Sequence, residues 1–411
     1  MRVVIINRSD ALGGAAIASA RLCHALRGAG ADARMLVLDR RTGDAAVQAV
    51  GTAVGNRYRF LAERLGIFLR NGRDRGTLFR IDTATHGVDL SRHPWVRQAD
   101  VIVLGWINQA MLSIDGVARL AALGKPLVWV MHDMWNCTGL CHVPGSCRGL
   151  LQQCGECPLL PRSSTLARRT WQRKHDLYSR HSMHFVAVSN WLKRVCRESS
   201  LMRDSDITVI PNAIDAAGFD PGYLDDNPWA VERGRQVMVM GAARLDDPVK
   251  GLDRLIAALR WMAGNRPDAA GRLHLVLYGL MRDSELLEQI PVPYTHLGYV
   301  NDLQQVYRHA GMVVSASDRE SFGYTLVEGM ACGCTPVTTG EGGQRDIVSH
   351  LENGYVTPSL DPVELAQGII WALDHPCDRQ RQHDDIAARF SMQAVARQHL
   401  SLYGRLMAGR E

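Results

Sequence analysis

Short runs of β-branched and apolar residues alternate along the chain with longer stretches of helical hydrophobic spacing. The first series of runs ends near Pro211, and a second series begins at Gln236. This alternation predicts two doubly wound α/β sheets of parallel strands joined by helices. The runs that predict strands are 3–6, 101–104, 127–131, 184–188 and 207–210 in the first series. In the second series they are 236–241, 273–278, the run at His296, 312–315 and 335–338.

A stretch rich in Pro, Gly and Asp over 215–228 separates the two series and predicts a domain boundary. We therefore expect a first domain over 1–214 and a second over 215–390. A last helical stretch over 392–407 follows the second series, and its pattern alone is compatible with packing on either domain.

Composition places the chain among globular proteins. Of its 411 residues, 46% are hydrophobic and 22% are charged, which argues against disorder. No apolar run approaches the roughly 18 residues of a membrane span. The opening MRVVIIN turns polar too early for a signal peptide, so we expect a cytoplasmic protein.

The net charge of +5 is unevenly distributed. Residues 57–80 hold seven arginines against Glu63 and Asp74, and residues 161–200 hold nine Lys or Arg against two acidic residues. Over 57–76 the arginines interleave with apolar residues, close to the pattern of an interfacial helix. That pattern predicts peripheral binding to an anionic membrane, and the alternative is an apolar face that packs in the core with the arginines in solvent. The interleaved apolar residues are Phe60, Leu61, Leu65, Phe68 and Leu69.

Two sequence features suit an anionic, hydroxyl-rich ligand. Gly13 and Gly14 follow the first strand and open a helix, whose N-terminus favours anions, although a tight turn with close helix packing explains them equally well. The full GxGxxG pattern is absent, and Asp39 is only a weak candidate for contacting a nicotinamide ribose. In the second half, Glu320 precedes a turn and a predicted helix over 325–331, and Glu328 lies within that helix; carboxylates there would accept hydrogen bonds from sugar hydroxyls.

The stretch ESFGYTLVEGMACGCTPV at 320–337 resembles the E-x7-E signature of retaining glycosyltransferase family 4. Other segments in matching order are VIPNAID at 209–215, GAARLDDPVKG at 241–251, HLGYV at 296–300 and FSMQAVARQHLSLY at 390–403. The resemblance implies the GT-B fold, two Rossmann-like domains facing across a cleft. It also implies that the terminal helix, within 391–411, crosses back to the first domain.

The resemblance also implies a role for each matching residue. Glu328 would hold the nucleotide ribose, and Glu320 would contact the transferred sugar near its reacting carbon. Arg244 and Lys250 would neutralise the diphosphate, although they are one residue further apart than is usual in the family. His132 would lie beside the sugar. The remaining residues that we expect to bind substrate are Gly13, Gly14, Ser321, Phe322, Gly323, Tyr324 and Thr325.

Five of the ten cysteines fall within residues 137–157. Cys154 and Cys157 form a CxxC pair, and Cys141 and Cys147 would complete a tetrahedral zinc site, with Cys137 or His142 as spare ligands. Free thiols and a disulfide remain alternatives, the latter disfavoured in a reducing compartment. The segment also resembles a loop of family members that build polysaccharides, such as colanic acid glycosyltransferases.

The resemblance thus implies a retaining glycosyltransferase that moves a sugar from a nucleotide-sugar donor to a hydroxyl of a surface glycan intermediate, lipid-linked in many such systems. Neither a protein nucleophile nor a catalytic cofactor is expected, and structural zinc is the only metal predicted. No nucleic-acid partner is expected. The alternatives are a non-catalytic nucleotide-sugar-binding partner of a glycan assembly complex, which a transfer assay would distinguish, and a GT-B nucleotide-sugar epimerase.

Overall fold

The structure is a computed structural model that describes residues 1–226 and 228–409. It divides the chain into two compact units. The first comprises residues 1–213 together with the end of the chain from Val395, and the second comprises residues 214–394. Each unit is built around one parallel β-sheet.

Within the described residues, the first sheet has seven strands in the order β3-β2-β1-β4-β5-β6-β7. The second has six, in the order β10-β9-β8-β11-β12-β13. The strands of the first sheet are β1 (Arg2–Ile6), β2 (Asp32–Val37), β3 (Val47–Ala49), β4 (Val101–Leu104), β5 (Leu127–Met131), β6 (His184–Ala187) and β7 (Ile207–Val209). Those of the second are β8 (Gln236–Arg244), β9 (Leu273–Leu280), β10 (Tyr294–His296), β11 (Met312–Ser315), β12 (Thr335–Thr338) and β13 (Tyr355–Val356).

Helices connect the strands in both units. Those that begin in the first unit are α1 (Gly14–Gly28), α2 (Ala53–Arg70), α3 (Pro94–Gln98), α4 (Ile114–Ala121), α5 (Leu166–Arg180) and α6 (Asn190–Glu198). Those that begin in the second unit are α7 (Leu252–Asn265), α8 (Pro267–Ala270), α9 (Leu303–Arg308), α10 (Tyr324–Ala331), α11 (Pro362–Asp374), α12 (Arg379–Phe390) and α13 (Met392–Ala408). Side-chain caps start several of them; Ser113 of α4 and Ser189 of α6 accept a hydrogen bond from a first-turn amide.

The strand residues are buried because helices cover both faces of a parallel sheet. In β4 and β5 every residue is buried, as is every residue of β11 and β12. Both sheets reverse strand order beside their first strand, between β1 and β4 and between β8 and β11. Loops at the carboxyl ends of the strands on either side of such a reversal form the usual ligand crevice of an α/β sheet. The fold therefore directs attention to the loops after β1 and β4 in one unit and after β8 and β11 in the other.

All ten strands predicted from hydrophobic runs are present, with ends shifted by up to three residues. The structure adds β2, β3 and β13. The edge strands β3 and β13 have only three and two residues, too short for a recognisable run. The C-terminal helix begins at Met392 as expected, and its residues from Val395 onward belong to the first unit.

Candidate functional site

In the first unit, the loop between β1 and α1 is fixed by polar contacts at the carboxyl edge of the sheet. The backbone of Gly13 has a φ of 88°, in the region that favours glycine, and its carbonyl accepts hydrogen bonds from the amides of Ala16 and Ile17. Gly14 is the first residue of the helix. Asn7, buried after β1, accepts a hydrogen bond of 2.6 Å from the amide of Trp106, which follows β4. The two loops beside the strand reversal are thus tied together.

His132 follows β5 directly and is partly exposed, but its ring Nε2 is buried and has no hydrogen-bond partner among the described residues. The ring lines a small enclosed cavity together with Ser19, Asn212 and His399, all within the first unit. Burial lowers the pKa of His132 to about 4 despite the charge of Asp133, so the ring is neutral near pH 7. A neutral imidazole there can donate or accept one hydrogen bond, but it carries no charge.

Asp133 holds the backbone that leads into the segment 137–157, which we call the Cys-rich loop. Its Oδ2 accepts two hydrogen bonds of 2.8 Å. One comes from the indole Nε1 of Trp106, and the other from Nδ1 of His142. Burial alone would raise the pKa of Asp133, but His142 and these hydrogen bonds outweigh it and lower the pKa. His142, one of the two spare zinc ligands considered from sequence, is therefore engaged with Asp133.

Lys174, in α5, fixes the same loop from below. It is fully buried, its Nζ donates to the carbonyls of Trp135 at 2.5 Å and Thr138 at 3.1 Å, and it lies 3.3 Å from the centroid of the Trp135 ring. Burial lowers the pKa of Lys174 to about 7, while neighbouring cysteines oppose the shift. Lysine is almost never fully buried without such partners. Lys174 lies in the basic stretch 161–200, and nothing in that pattern indicated that one of its lysines would be buried.

Two of the four candidate zinc ligands accept hydrogen bonds from backbone amides. Within residues 1–226 and 228–409, no three His, Cys, Asp or Glu side chains are grouped so that they would hold a metal ion. Cys154 Sγ accepts from the amide of Gly139 at 3.1 Å, and Cys147 Sγ from that of Gly149 at 3.3 Å. Burial raises the pKa of Cys141 to about 12 and that of Cys154 to about 11. Structural zinc at Cys141, Cys147, Cys154 and Cys157 stays a prediction.

In the second unit, the two basic residues expected to bind the diphosphate lie at the end of β8 and shortly after it. Arg244 ends the strand and forms a 3.0 Å ion pair with Asp246, yet its side chain remains 44% exposed. Lys250 lies in a 3₁₀ turn over Pro248–Lys250. At the start of this turn, the side chain of Asp247 accepts a hydrogen bond from the amide of Val249.

Lys250 and Glu320 come together although 70 residues separate them. Lys250 Nζ donates to Glu320 Oε1 at 2.7 Å, and the hydroxyl of Ser317 donates to the same oxygen at 3.0 Å. Burial would lower the pKa of Lys250, but the charge and the hydrogen bond of Glu320 outweigh it and raise the pKa. Lys250 is therefore charged near neutral pH, and both side chains of the pair are partly exposed.

The turn after Glu320 leads into α10. Gly323 caps this helix with a φ of 118°, and its carbonyl accepts from the amides of Leu326 and Val327. Ser321 and Phe322 form the turn, and Tyr324 and Thr325 are the first two helical residues. The helix thus begins one residue earlier than predicted. Its N-terminal amides lie three to five residues from Glu320, where a helix terminus favours an anion.

Glu328, the fifth residue of α10, is buried. Its charge contributes to raising the pKa of Tyr278 and of Tyr307, whose hydroxyls share a hydrogen bond of 2.7 Å. For both tyrosines burial is the larger cause of the raised pKa. The sequence motif indicated Glu328 but not the two tyrosines near it, because these lie in β9 and α9, which are distant in sequence.

Two further side chains that the sequence did not indicate brace these loops. Gln344 is fully buried, donates to Ser315 Oγ at 2.7 Å and accepts from Thr338 Oγ1 at 2.6 Å, so it joins the ends of β11 and β12. Arg254, in α7, donates to the carbonyl of Ala316 and pairs with Asp318 at 2.5 Å. Both contacts bridge elements distant in sequence, which is why residue spacing does not reveal them.

Two protein-family models match the chain. The model described as Glycosyltransferase Family 4 matches residues 12–217, half of the chain. The model described as Glycosyl transferases group 1 matches residues 235–375. The first match covers most of the first unit, and the second includes the Lys250–Glu320 pair and α10.

Relatives of known name match part of the chain. A phosphatidyl-myo-inositol mannosyltransferase of Mycolicibacterium smegmatis is 31% identical over 46% of this chain and 48% of its own. A D-inositol 3-phosphate glycosyltransferase of Jonesia denitrificans is 24% identical over 67% of this chain and 62% of its own. The chain thus spans about half to three fifths of the length of these relatives.

Solved structures resemble the chain over nearly its whole length. Anabaena HepE in complex with UDP covers 98% of this chain and 100% of its own, with a TM-score of 0.64 and 16% identity. Sucrose-phosphate synthase from Thermosynechococcus elongatus covers 99% of both chains, with a TM-score of 0.65 and 16% identity. Likeness at this identity concerns the fold alone, and it confirms the GT-B fold class of two Rossmann-like α/β domains.

None of the helices in the described residues is long and apolar enough to cross a membrane.

Proposed function

The chain belongs to glycosyltransferase family 4, and from that premise we propose that it transfers a sugar, with retention of configuration, from a nucleoside diphosphate sugar to a hydroxyl of a surface glycan intermediate. The observation that carries the proposal is the 2.7 Å pair of Lys250 with Glu320 beside the N-terminus of α10. A cation, an exposed carboxylate and helix amides in one place suit a diphosphate joined to a hydroxyl-rich sugar.

Each group has a part in this reaction. Arg244 and Lys250 neutralise the departing diphosphate, which otherwise would require a metal ion. The first amides of α10 bind phosphate oxygens, and Glu328 accepts hydrogen bonds from the ribose hydroxyls. Glu320, whose Oε1 is held by Lys250 and Ser317, has a second oxygen for a sugar hydroxyl and stabilises positive charge at the reacting carbon.

Retention follows if the acceptor attacks the face that the diphosphate leaves. The acceptor hydroxyl forms the new bond to the sugar carbon as the bond to the diphosphate breaks, and a diphosphate oxygen takes the proton. Glu320 then acts by position and charge rather than as a nucleophile, because Lys250 and Ser317 already engage its Oε1. His132, neutral near pH 7, would hydrogen-bond a hydroxyl of the transferred sugar.

A pocket of the first unit suits an acceptor that carries a phosphate. A cavity of about 250 Å³ lies between the loop after β1 and helix α2, and Arg8, Arg57, Phe60 and Gln109 are among its lining residues. Arg8 Nε is buried without a hydrogen-bond partner in the part of the chain that the structure describes. Asp39 also lines the cavity but is paired with Arg41 at 2.9 Å, so the arginines keep the pocket positive.

Two relatives are named for phosphate-bearing inositol acceptors, which agrees with such a pocket. We propose a lipid-linked phosphate or diphosphate acceptor in exopolysaccharide assembly, the subgroup suggested by the Cys-rich loop, at the inner face of the plasma membrane.

The donor is tested by a thermal-shift screen of nucleoside diphosphates and their sugars, because a ligand that binds only the folded state stabilises by about 2.7 kcal/mol at a hundredfold excess over its Kd. A hit is then incubated with lipid-linked acceptor, and the anomeric configuration of the product is read by NMR. No shift with any nucleotide would contradict a donor site. A product of inverted configuration would contradict the mechanism, and binding without transfer or sugar-nucleotide hydrolysis would make the chain a non-catalytic binding partner.

A further inference from the structure

Helix α2 carries a stripe of large apolar side chains that the fold leaves in solvent. These side chains recur at intervals of three or four residues and therefore lie along one side of the helix. These side chains are 52% to 81% exposed, although the helix is part of the compact first unit. The members of this α2 stripe are Val54, Tyr58, Leu61, Leu65 and Leu69.

The opposite side of α2 is firmly anchored, so the exposure of the stripe does not reflect a loosely packed helix. Arg64 is buried and pairs with Asp82 at 2.5 Å, and it also donates to the carbonyl of Leu78. Glu63 is buried beside it and accepts from the amide of Thr85 at 2.9 Å. The helix thus buries a charged pair together with Ile67, and it exposes five large apolar side chains that an ordinary surface helix would bury.

Exposed arginines follow the stripe in the sequence. Arg73, Arg75 and Arg80 follow the C-terminal end of α2, are exposed, and make no side-chain hydrogen bond or ion pair with another described residue. The acidic residues of the segment offset only part of this charge. Glu63 is buried, and Asp74 is exposed but carries a single negative charge beside three arginines.

We propose that the α2 stripe and these arginines dock the first unit on an anionic phospholipid surface. An interfacial helix places its apolar side at the boundary between headgroups and acyl chains, while arginines contact lipid phosphates. The net positive charge favours a lipid surface over a second copy of this chain, whose own arginines would repel it. The docking does not depend on which sugar donor or acceptor the chain binds.

The full-length protein is tested by co-sedimentation with vesicles of phosphatidylcholine alone and of phosphatidylcholine with phosphatidylglycerol, at low and high salt. We expect binding about tenfold stronger on the anionic vesicles at low salt, and weaker at high salt, because salt screens the arginines. The double variant Leu61→Ser with Leu65→Ser should weaken binding by about tenfold or more, since two leucines no longer leave water.

Two further variants make the test specific. Arg73→Gln with Arg75→Gln should weaken binding about tenfold at low salt and little at high salt. Tyr299→Ser with Leu351→Ser removes two similarly exposed apolar side chains from the second unit and should leave binding unchanged. Because all these positions are exposed, circular dichroism should show an unchanged fold.

Equal partitioning into neutral and anionic vesicles, or full binding by the leucine variant, would overturn the proposal. A different result would overturn it as well: no vesicle binding by the wild type, together with a dimer in light scattering that the leucine variant dissociates. That outcome would make the stripe an interface between copies of the chain.

Discussion

At the scale of single residues, Glu320 is held by a cation and a hydroxyl, whereas Glu328 is buried among aromatic residues. Glu320 Oε1 receives hydrogen bonds from Lys250 and Ser317 and remains partly exposed. Glu328 lies near the paired hydroxyls of Tyr278 and Tyr307. Two carboxylates with such different surroundings suit different parts of a ligand, and their variants should have separable effects.

The first prediction is that Glu328→Ala and Arg244→Ala weaken binding of the nucleotide sugar by about 1.5–3 kcal/mol each, because each loses a charge-assisted hydrogen bond. Glu320→Ala should instead lower turnover while leaving affinity for the nucleotide nearly unchanged. Calorimetric titration and initial rates separate the two effects. Glu285→Gln and Arg233→Ala, at exposed positions of the same unit, serve as controls. Wild-type affinity and rate in all three site variants would refute the assignment.

His399 should make the free energy of unfolding of the protein depend on pH. Burial, with a contribution from His132, lowers its pKa to about 3, so the folded state disfavours its protonation. The unfolded chain takes up that proton near pH 6.5, and the free energy of unfolding therefore falls as the pH drops below about 6.5. Ser19 and Asn212 line the same cavity and carry no charge that would offset the shift.

The second prediction follows: between pH 7 and pH 5, His399 should account for about 2 kcal/mol of the loss in free energy of unfolding. His399→Gln should lose about that much less over the same interval, whatever its stability at pH 7. Urea unfolding at both pH values measures the difference, and His24→Gln, on the exposed side of α1, provides the control. An unchanged difference in the His399 variant would show that this ring is protonated in the folded state.

At the scale of elements, the Cys-rich loop, residues 137–157, contains no α-helix or β-strand, yet it is held at several points. Lys174 of α5 donates to two of its carbonyls, and Ser199 after α6 donates to the carbonyl of Cys137 at 2.5 Å. Amide donors to Cys147 and Cys154 resemble the hydrogen bonds that orient thiolate ligands of a metal. These contacts support a structural role for the loop with or without zinc.

The third prediction is that purified protein contains about one zinc per chain, bound by Cys141, Cys147, Cys154 and Cys157. Because no three such side chains are grouped to hold a metal in the described residues, zinc binding would require the loop to rearrange. Elemental analysis gives the zinc content, and Cys154→Ser should abolish it, whereas Cys377→Ser, in the second unit, should not. Protein without metal and with freely titrating thiols at these positions would leave the loop a thiol-rich structural element.

Sequence pattern predicted the elements better than the contacts between them. The strands that flank both reversals of strand order were found because each is a continuous apolar run, and the Lys250 and Glu320 positions came from a motif. No motif or spacing indicated that these two residues would pair, or that Lys174 would be buried, because such contacts depend on how distant elements pack. For α2 the apolar residues were identified, but only the structure separates the exposed leucines from the buried Arg64.

At the scale of the whole molecule, the two units differ in how the chain builds them. The second is one continuous segment with its own apolar core between β8–β12, α7 and α11. The first needs both ends of the chain, because residues of α13 from Val395 onward are part of its core. A defect in α13 should therefore affect a sheet whose strands all lie at least 180 residues earlier in the sequence.

The last prediction concerns this part of α13. Leu402 and Tyr403 are buried, and nearby Val395 and His399 line a cavity with residues of β1, β4 and β5. Leu402→Ala and Tyr403→Ala should each lower the stability of the first unit by about 2–5 kcal/mol, because each leaves a cavity in its core. Hydrogen exchange followed by mass spectrometry should then show faster exchange in β1, β4 and β5 and unchanged exchange in β8–β12, since stability is not uniform across a structure. Arg405→Ala, at an exposed position of the same helix, should change neither. Equal acceleration in both sheets would show that the units unfold together, and no acceleration in either would show that α13 adds little to the core of the first unit.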